Sequence, residues 1–248
     1  MAELFVGTSG WVYPHWRGEF YPEDLPGREW FSFYGERFNS VEINNSFYRV
    51  PSWETFKAWR DAAPAGFRFT VKASRYITHR KKLNDPETGI KNFYDNLAGM
   101  GRYCAVVLYQ LPPNWKVNLE RLESFLEAVP KRPRLAFEFR DRTWLADGVF
   151  DLLKRHRAAL VAADRPFYPA PRRQTADFAF FRMHGGHTRA APKYTNGELE
   201  SLARDAAGEL EKDHDVFIYF NNDYRGYAIE NARKLKELLG VKEAGVHA

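Results

Sequence analysis

The chain has a single cysteine among its 248 residues, Cys104. One thiol excludes an internal disulfide and a cysteine-based metal site, and its place in the apolar run CAVVLYQ marks it as a core residue. Long apolar runs are missing as well: none approaches the ~18 residues that span a bilayer. The amino terminus MAELFVGTSG lacks the charged start and apolar centre of a secretory signal, so a cytoplasmic protein with no membrane partner is expected. No repeat, linker or low-complexity stretch divides the chain, and residues 1–248 are expected to form one domain. GTSGW (7–11) offers at most backbone amides to an anion, because it lacks the glycine spacing of a phosphate loop or dinucleotide fingerprint. No serine stands in a nucleophile elbow.

What is present is a large apolar supply, 44% hydrophobic and 16% aromatic residues, sufficient for a substantial core. The net charge of +5 and pI near 9.2 suit anionic ligands in general. Only the location of the charges decides whether they bind one.

Eight short runs rich in β-branched and aromatic residues read as strands: residues 4–7, 40–44, 67–72, 104–110, 134–139, 159–164, 178–184 and 215–221. Their starts lie roughly 20 to 40 residues apart, the repeat of a βα unit. The fold class expected is α/β, a single TIM-type (βα)8 barrel with irregular loops. Ser52 and Asn118 read as helix caps, as does Asp147 before Val149, Leu152 and Leu153. TNGE (195–198) has capping-box spacing, and Gly240 stops a last helix that carries Ala228, Ala232 and Leu235. The segment from Arg165 to Asp177, with three prolines, reads as an irregular loop.

Strand side chains alternate between two faces, and in a barrel one face is the interior. Glu42 and Asn44 share a face at the end of strand two, and Thr70 and Lys72 share one on strand three. Gln110 ends strand four, Glu138 and Arg140 share a face of strand five, and Asp164 ends strand six. Arg182 and His184 share a face of strand seven, and Asn221 and Asn222 close strand eight. Polar residues gathered at the carboxyl ends of so many strands predict a polar cavity at the barrel mouth. Taken singly, each is as well explained by a strand cap or a structural ion pair, such as Glu138 with Lys72 or Arg182.

VGTSGW (6–11), FYPEDLP (20–26), FNSVEINNSFY (38–48), PSWETFKAW (51–59), GFRFTVKA (66–73), ITHRKKL (77–83), FEFRDRTW (137–144), FRMHG (181–185) and YFNND (219–223) resemble the YecE-like family, number seventy-two among the domains of unknown function. The resemblance covers nearly the whole chain. It implies a TIM barrel and marks Glu42, Asn44, Phe47, Tyr48, Lys72, Gln110, Glu138, Arg140, Trp144, Arg182, His184, Asn221 and Asn222 as motif positions; it supplies no activity. Asn45 and the stretch Gly186–Ala191 depart from the family pattern.

Three functions follow from these residues. The first is a hydrolase or lyase acting on a small anionic, phosphorylated or sugar-like substrate. Glu42, Glu138 and Asp164 would then supply acid-base chemistry if their environments separate their pKa values, with Lys72 and His184 beside them. Asn44, Tyr48, Arg75, His79, Gln110, Arg140, Arg182, Asn221 and Asn222 would bind the substrate. The second is nucleic-acid binding or processing by a basic rim of Arg75, His79, Arg80, Lys81, Lys82, Arg172, Arg173, Arg189 and Lys193, with Trp11, Tyr13, Trp16, Tyr48 and Tyr76 for stacking. The third is a metabolite-binding barrel without turnover. Glu138, Asp164 and His184 also resemble a divalent-metal set, but Lys72 and two arginines compete for the same carboxylates, so a metal-free site is expected. The sequence names no cofactor and no oligomeric state.

Overall fold

The computed structural model describes residues 1–164, 170–185 and 192–241. Eight parallel strands appear, each at or within a residue of its expected ends: β1 Leu4–Thr8, β2 Ser40–Ile43, β3 Arg68–Lys72, β4 Cys104–Gln110, β5 Arg134–Glu138, β6 Ala159–Asp164, β7 Phe178–Met183 and β8 Asp215–Phe220. They form one sheet in sequential order, with β1 beside β8 at one end of the ladder and β2 at the other. This is a TIM-type barrel.

Side chains complete the seam between β1 and β2, which share only the bridge Ser9–Glu42. Asn39 donates to Leu4 O at 2.7 Å and accepts from Val6 N at 3.1 Å, while Tyr34 Oη accepts from Thr8 N at 2.9 Å and donates to Ser40 O at 3.0 Å. At Gly7 an added Cβ would lie 2.0 Å from Ser40 O, so only glycine allows the two strands to come this close.

Seven α-helices accompany the strands among the described residues: α1 Trp30–Gly35, α2 Trp53–Ala62, α3 Pro86–Leu97, α4 Leu119–Ala128, α5 Asp147–Arg155, α6 Asn196–Leu210 and α7 Tyr227–Leu238. Ser52 and Asn118 accept from Thr55 N and Arg121 N, and the Thr195–Glu198 capping box is complete. Asp147 differs from expectation. It is the first residue of α5 and Ala146 holds the cap position, so the acid acts on the helix dipole instead. Two helices escaped the sequence reading: α1 has only six residues, and α3 opens on proline with its Ile90, Phe93, Leu97 stripe diluted by Gly89, Asn92 and Asn96. The proline-rich loop has no helix or strand over residues 170–177; residues 165–169 lie outside the described chain. No helix among the described residues is long and apolar enough to cross a membrane.

Alternation divides the strand residues between two cores. The outer one, beneath the helices, holds Val41, Phe69, Val107, Phe137 and Ile218. The inner one holds Phe5, Val106, Leu108, Ala136, Val161, Phe180, Phe217 and Tyr219, so the lower barrel is filled rather than open. Cys104 begins β4 at the amino-terminal end, buried, with burial pushing its thiol pKa up, as its core reading requires. Trp11 and Trp16 are buried too: Trp11 packs on Phe31 and Trp59, and Trp16 on Tyr13 and Phe20. Neither is free to stack on a ligand.

Candidate active site at the barrel mouth

Above the inner core, Arg182 projects from β7 across the barrel. Its Nε and Nη2 donate to the two oxygens of Glu42 on β2 at 2.8 and 2.6 Å, and its Nη1 donates to Glu138 on β5. All three side chains are buried, at 1% exposure or less. The remaining acceptor capacity is also used: Ser9 Oγ donates to Glu42 at 2.7 Å, and Gln110 Nε2 and Arg140 Nε donate to Glu138 at 2.8 and 3.1 Å. Burial by itself would raise both carboxyl pKa values. Arg182 outweighs it, with Ser9 and Lys72 helping at Glu42 and with His184 and Arg140 helping at Glu138. Glu42 is held below its ordinary value and Glu138 well below it. One guanidinium thus serves both groups and favours the ionised form of each, the opposite of what a carboxylic acid acting as proton donor needs.

His184 lies beside this cluster at the mouth. Its Nε2 is 3.6 Å from Glu138 and 3.4 Å from Arg182 Nη1, and its Nδ1 meets Asn221 Nδ2 at 3.1 Å. Toward β3 and β4 the mouth opens into a cavity of about 400 Å³ lined by Phe47, Tyr48, Lys72, Arg75, His79, Gln110 and Arg140. The turn that carries His79, Tyr76–Arg80, is one turn of π-helix immediately after β3, a backbone form frequent at functional sites. Lys72 Nζ lies 4.2 Å from the centre of the Phe47 ring and makes no hydrogen bond or ion pair among the described residues. Burial, then Arg182, pushes the Lys72 pKa down to about 8, with Arg140 adding and Glu42 and Glu138 opposing. His79 is pushed down to about 4 by burial, Lys72, Arg140 and Arg75, so its imidazole is neutral at pH 7.

The structure thus brings together Glu42, Lys72, Glu138, Arg182, His184, Gln110, Arg140, Asn221, Tyr48, Arg75 and His79. Three expected residues lie elsewhere or apart. Asp164 has the opposite parity to inward-facing Val161 and Ala163, and shares an outer cavity of about 450 Å³ with Arg172, Tyr194 and Glu198. Ending a strand does not aim a side chain inward; the period of two does. Asn222 is likewise on the outer side, donating to Pro192 O at 2.7 Å and Asn231 Oδ1 at 2.9 Å, which ties β8 to α7. Asn44 follows β2 but does not line the cavity, and its buried Oδ1 has no partner among the described residues. With Asp164 turned outward, Glu138, Asp164 and His184 do not converge, and no group of three metal-ligating side chains occurs among the described residues.

Four residues of the basic rim are committed to ion pairs, whereas Arg75, Arg80 and Lys82 have none among the described residues. Lys81 pairs with Asp85 at 3.1 Å and Arg173 with Asp147 at 2.8 Å, while Arg172 pairs with Asp205 and Lys193 with Glu230. Arg189 and most of Gly186–Ala191 lie outside the described residues. Sequence reasoning had marked Phe47 only as a motif position and missed its contact role: it supports both Lys72 and the His79 ring, whose centroid is 4.9 Å away.

Comparison with known proteins agrees with this architecture. The chain is 26% identical to the UPF0759 protein YunF of Bacillus subtilis, over 98% of this chain and 97% of that protein. It is 25% identical to the UPF0759 protein YecE of Escherichia coli, over 58% of this chain and 51% of that protein. The crystal structure of TM1631, a DUF72 family protein of Thermotoga maritima, superposes with a TM-score of 0.85 at 31% identity, covering 96% of this chain and 99% of that one. The profile described as "Protein of unknown function DUF72" matches residues 5–248, and the chain belongs to that family.

Proposed function

We propose that the chain is an enzyme, a lyase or hydrolase, that binds a small phosphate- or carboxylate-bearing substrate in the cavity above β3 and β4. One observation carries this reading. Lys72, Arg75 and Arg140 line a single cavity with a neutral histidine, while Glu42 and Glu138, the carboxylates beside it among the described residues, are already held by Arg182. Counting Glu42 and Glu138 as −2 and Arg182, Lys72, Arg75 and Arg140 as +4 leaves a site of net +2 at neutral pH. A cavity of net positive charge favours an anionic ligand.

The roles within it follow from charge and burial. Arg75 and Arg140 hold the anion, because guanidinium groups present fork-shaped donors and do not lose their protons. Glu42 and Glu138 fix Arg182 and stay ionised; they are supports, not proton donors. Proton transfer falls to Lys72, whose pKa of about 8 lies near neutrality, and to the two histidines of the mouth. The ion pairs that occupy Lys81, Arg172, Arg173 and Lys193 favour this small-anion reading over a polynucleotide surface.

Titration calorimetry with inorganic phosphate tests the binding half directly. Saturable binding that weakens on the order of tenfold in Arg75→Ala, with an unchanged melting temperature, is expected. Absence of binding, or binding indifferent to Arg75, would sink the reading.

A further inference from the structure

We propose that Lys72 Nζ is a carbonyl-capturing amine, forming an imine with the aldehyde or ketone carbon of a small anionic oxo compound held by Arg75 and Arg140. The inference rests on the anion-binding reading of the mouth and deepens it by naming the reacting group of the substrate.

Three geometric observations support it. Lys72 ends β3, points inward and lines the cavity, so a bound molecule reaches its nitrogen. Its Nζ has no hydrogen bond or ion pair among the described residues and rests on the face of Phe47, a weaker hold on the ammonium than a carboxylate partner would be. The two carboxylates that would otherwise neutralise it are engaged by Arg182, and the guanidinium groups of Arg182 and Arg140 remain nearby as fixed positive charges. A lysine desolvated beside other cations gives up its proton readily, and only the unprotonated amine attacks a carbonyl. The shift of its pKa to about 8 agrees with this placement.

The step balances without an outside oxidant or reductant. The nitrogen lone pair forms a bond to the carbonyl carbon while the carbonyl π pair moves to oxygen. That oxygen leaves as water after taking one proton from the amine and one from an acid of the mouth, leaving a protonated imine once the nitrogen retains its second proton. Loss of a proton from the adjacent carbon to a base of the mouth, or cleavage of its C–C bond with loss of a hydroxyl proton from the departing carbon, which leaves as an aldehyde, sends the bonding pair into the imine nitrogen and gives an enamine. Protonation of the enamine and hydrolysis by water then return the amine. His79 is placed to relay these protons: its Nδ1 meets Thr78 Oγ1 at 2.9 Å, its Nε2 has no hydrogen-bond partner among the described residues, and its ring lines the same cavity. The substrate class is an oxo acid or a phosphorylated aldose or ketose fragment.

Borohydride trapping decides the matter. The protein is incubated with pyruvate and, separately, with dihydroxyacetone phosphate, reduced with sodium borohydride, digested and mapped by mass spectrometry. Phosphate binding is measured on the same preparation. The expected result is a reduced adduct on the Lys72 peptide at on the order of tenfold higher occupancy than on any other lysine. Lys72→Arg, which keeps the cation, should retain phosphate binding and lose the adduct. Phosphate binding with Lys72 labelled no more than surface lysines would overturn the imine and leave the anion site standing. Failure of both binding and selective labelling would remove the anion site and the imine together. The comparison among lysines of the unsubstituted protein decides the question even if the variant does not fold.

Discussion

The lower and upper interiors of this barrel are both closed to water, yet they are filled with opposite materials. Below, Phe5 stacks on Phe217 at 4.7 Å and Phe180, Leu108 and Val161 complete a dry plug. Above, Glu42 from β2, Glu138 from β5 and Arg182 from β7 occupy the core with no more exposure than the phenylalanines beneath them. The lower half gains from burial itself, whereas the upper half is paired well enough to offset the cost of desolvating three charges. A fold seeking stability alone would continue the phenylalanines upward. The charged layer instead holds Arg140 and the neighbourhood of Lys72 in place, which is what a site requires of its supports.

The largest effect is expected from breaking the upper layer. Arg182→Met leaves two buried carboxylates facing one another and should cost about 3–5 kcal/mol at neutral pH. The sign of its pH dependence should also reverse. In the unsubstituted protein both carboxyls have folded pKa values below 4.5, so their stabilisation is complete above pH 4.5 and is lost as pH falls through the folded values. Without Arg182 burial raises the pair, and stability should instead fall as pH rises from about 4 to 7. Melting temperatures across that range check both curves; parallel curves would mean that Arg182 is not the partner that keeps the pair ionised.

Phe217→Ala breaks the lower layer and should cost about 3 kcal/mol through the cavity it leaves, with no pH dependence between pH 5 and 8 as measured by denaturant unfolding. Lys72→Met should act in the opposite direction. Its folded pKa of about 8 lies below the ordinary 10.5, so protonation at neutral pH costs stability, and that cost disappears only above pH 10.5. The variant should be about 2 kcal/mol more stable at pH 7, as melting temperatures would show. An unchanged or lowered melting temperature would argue that the amine is not strained by its surroundings. The smallest effect belongs to Asp164→Asn: the affinity for phosphate should change less than about twofold by titration calorimetry, because the side chain faces the outer cavity with Tyr194. A collapse of phosphate binding would return Asp164 to the site.

Much of this was legible along the chain, and the misses have particular causes. Every strand was found because β-branched and aromatic runs recur at the βα spacing, and the inward set Glu42, Lys72, Glu138, Arg182 follows from the period of two. Asp164 and Asn222 were misplaced where position at a strand end was taken as evidence of direction. Ala163 and Asn221 occupy the inward parity beside them. The stacking role expected of Trp11 and Trp16 failed because an aromatic side chain near a loop buries itself wherever helices leave apolar surface to cover.

The sequence by itself determined the barrel, the strand ends and which residue types crowd the mouth, since these depend on local periodicity and on the order of elements along the chain. Only the tertiary structure decided that Arg182 spans from β7 to both β2 and β5, that Lys72 is left with Phe47 and no counter-ion among the described residues, and that Lys81, Arg172, Arg173 and Lys193 find carboxylates of their own. Pairings between residues some 44 to 140 positions apart are choices among several available partners, and closure of the sheet makes them by setting which charges meet where water cannot screen them.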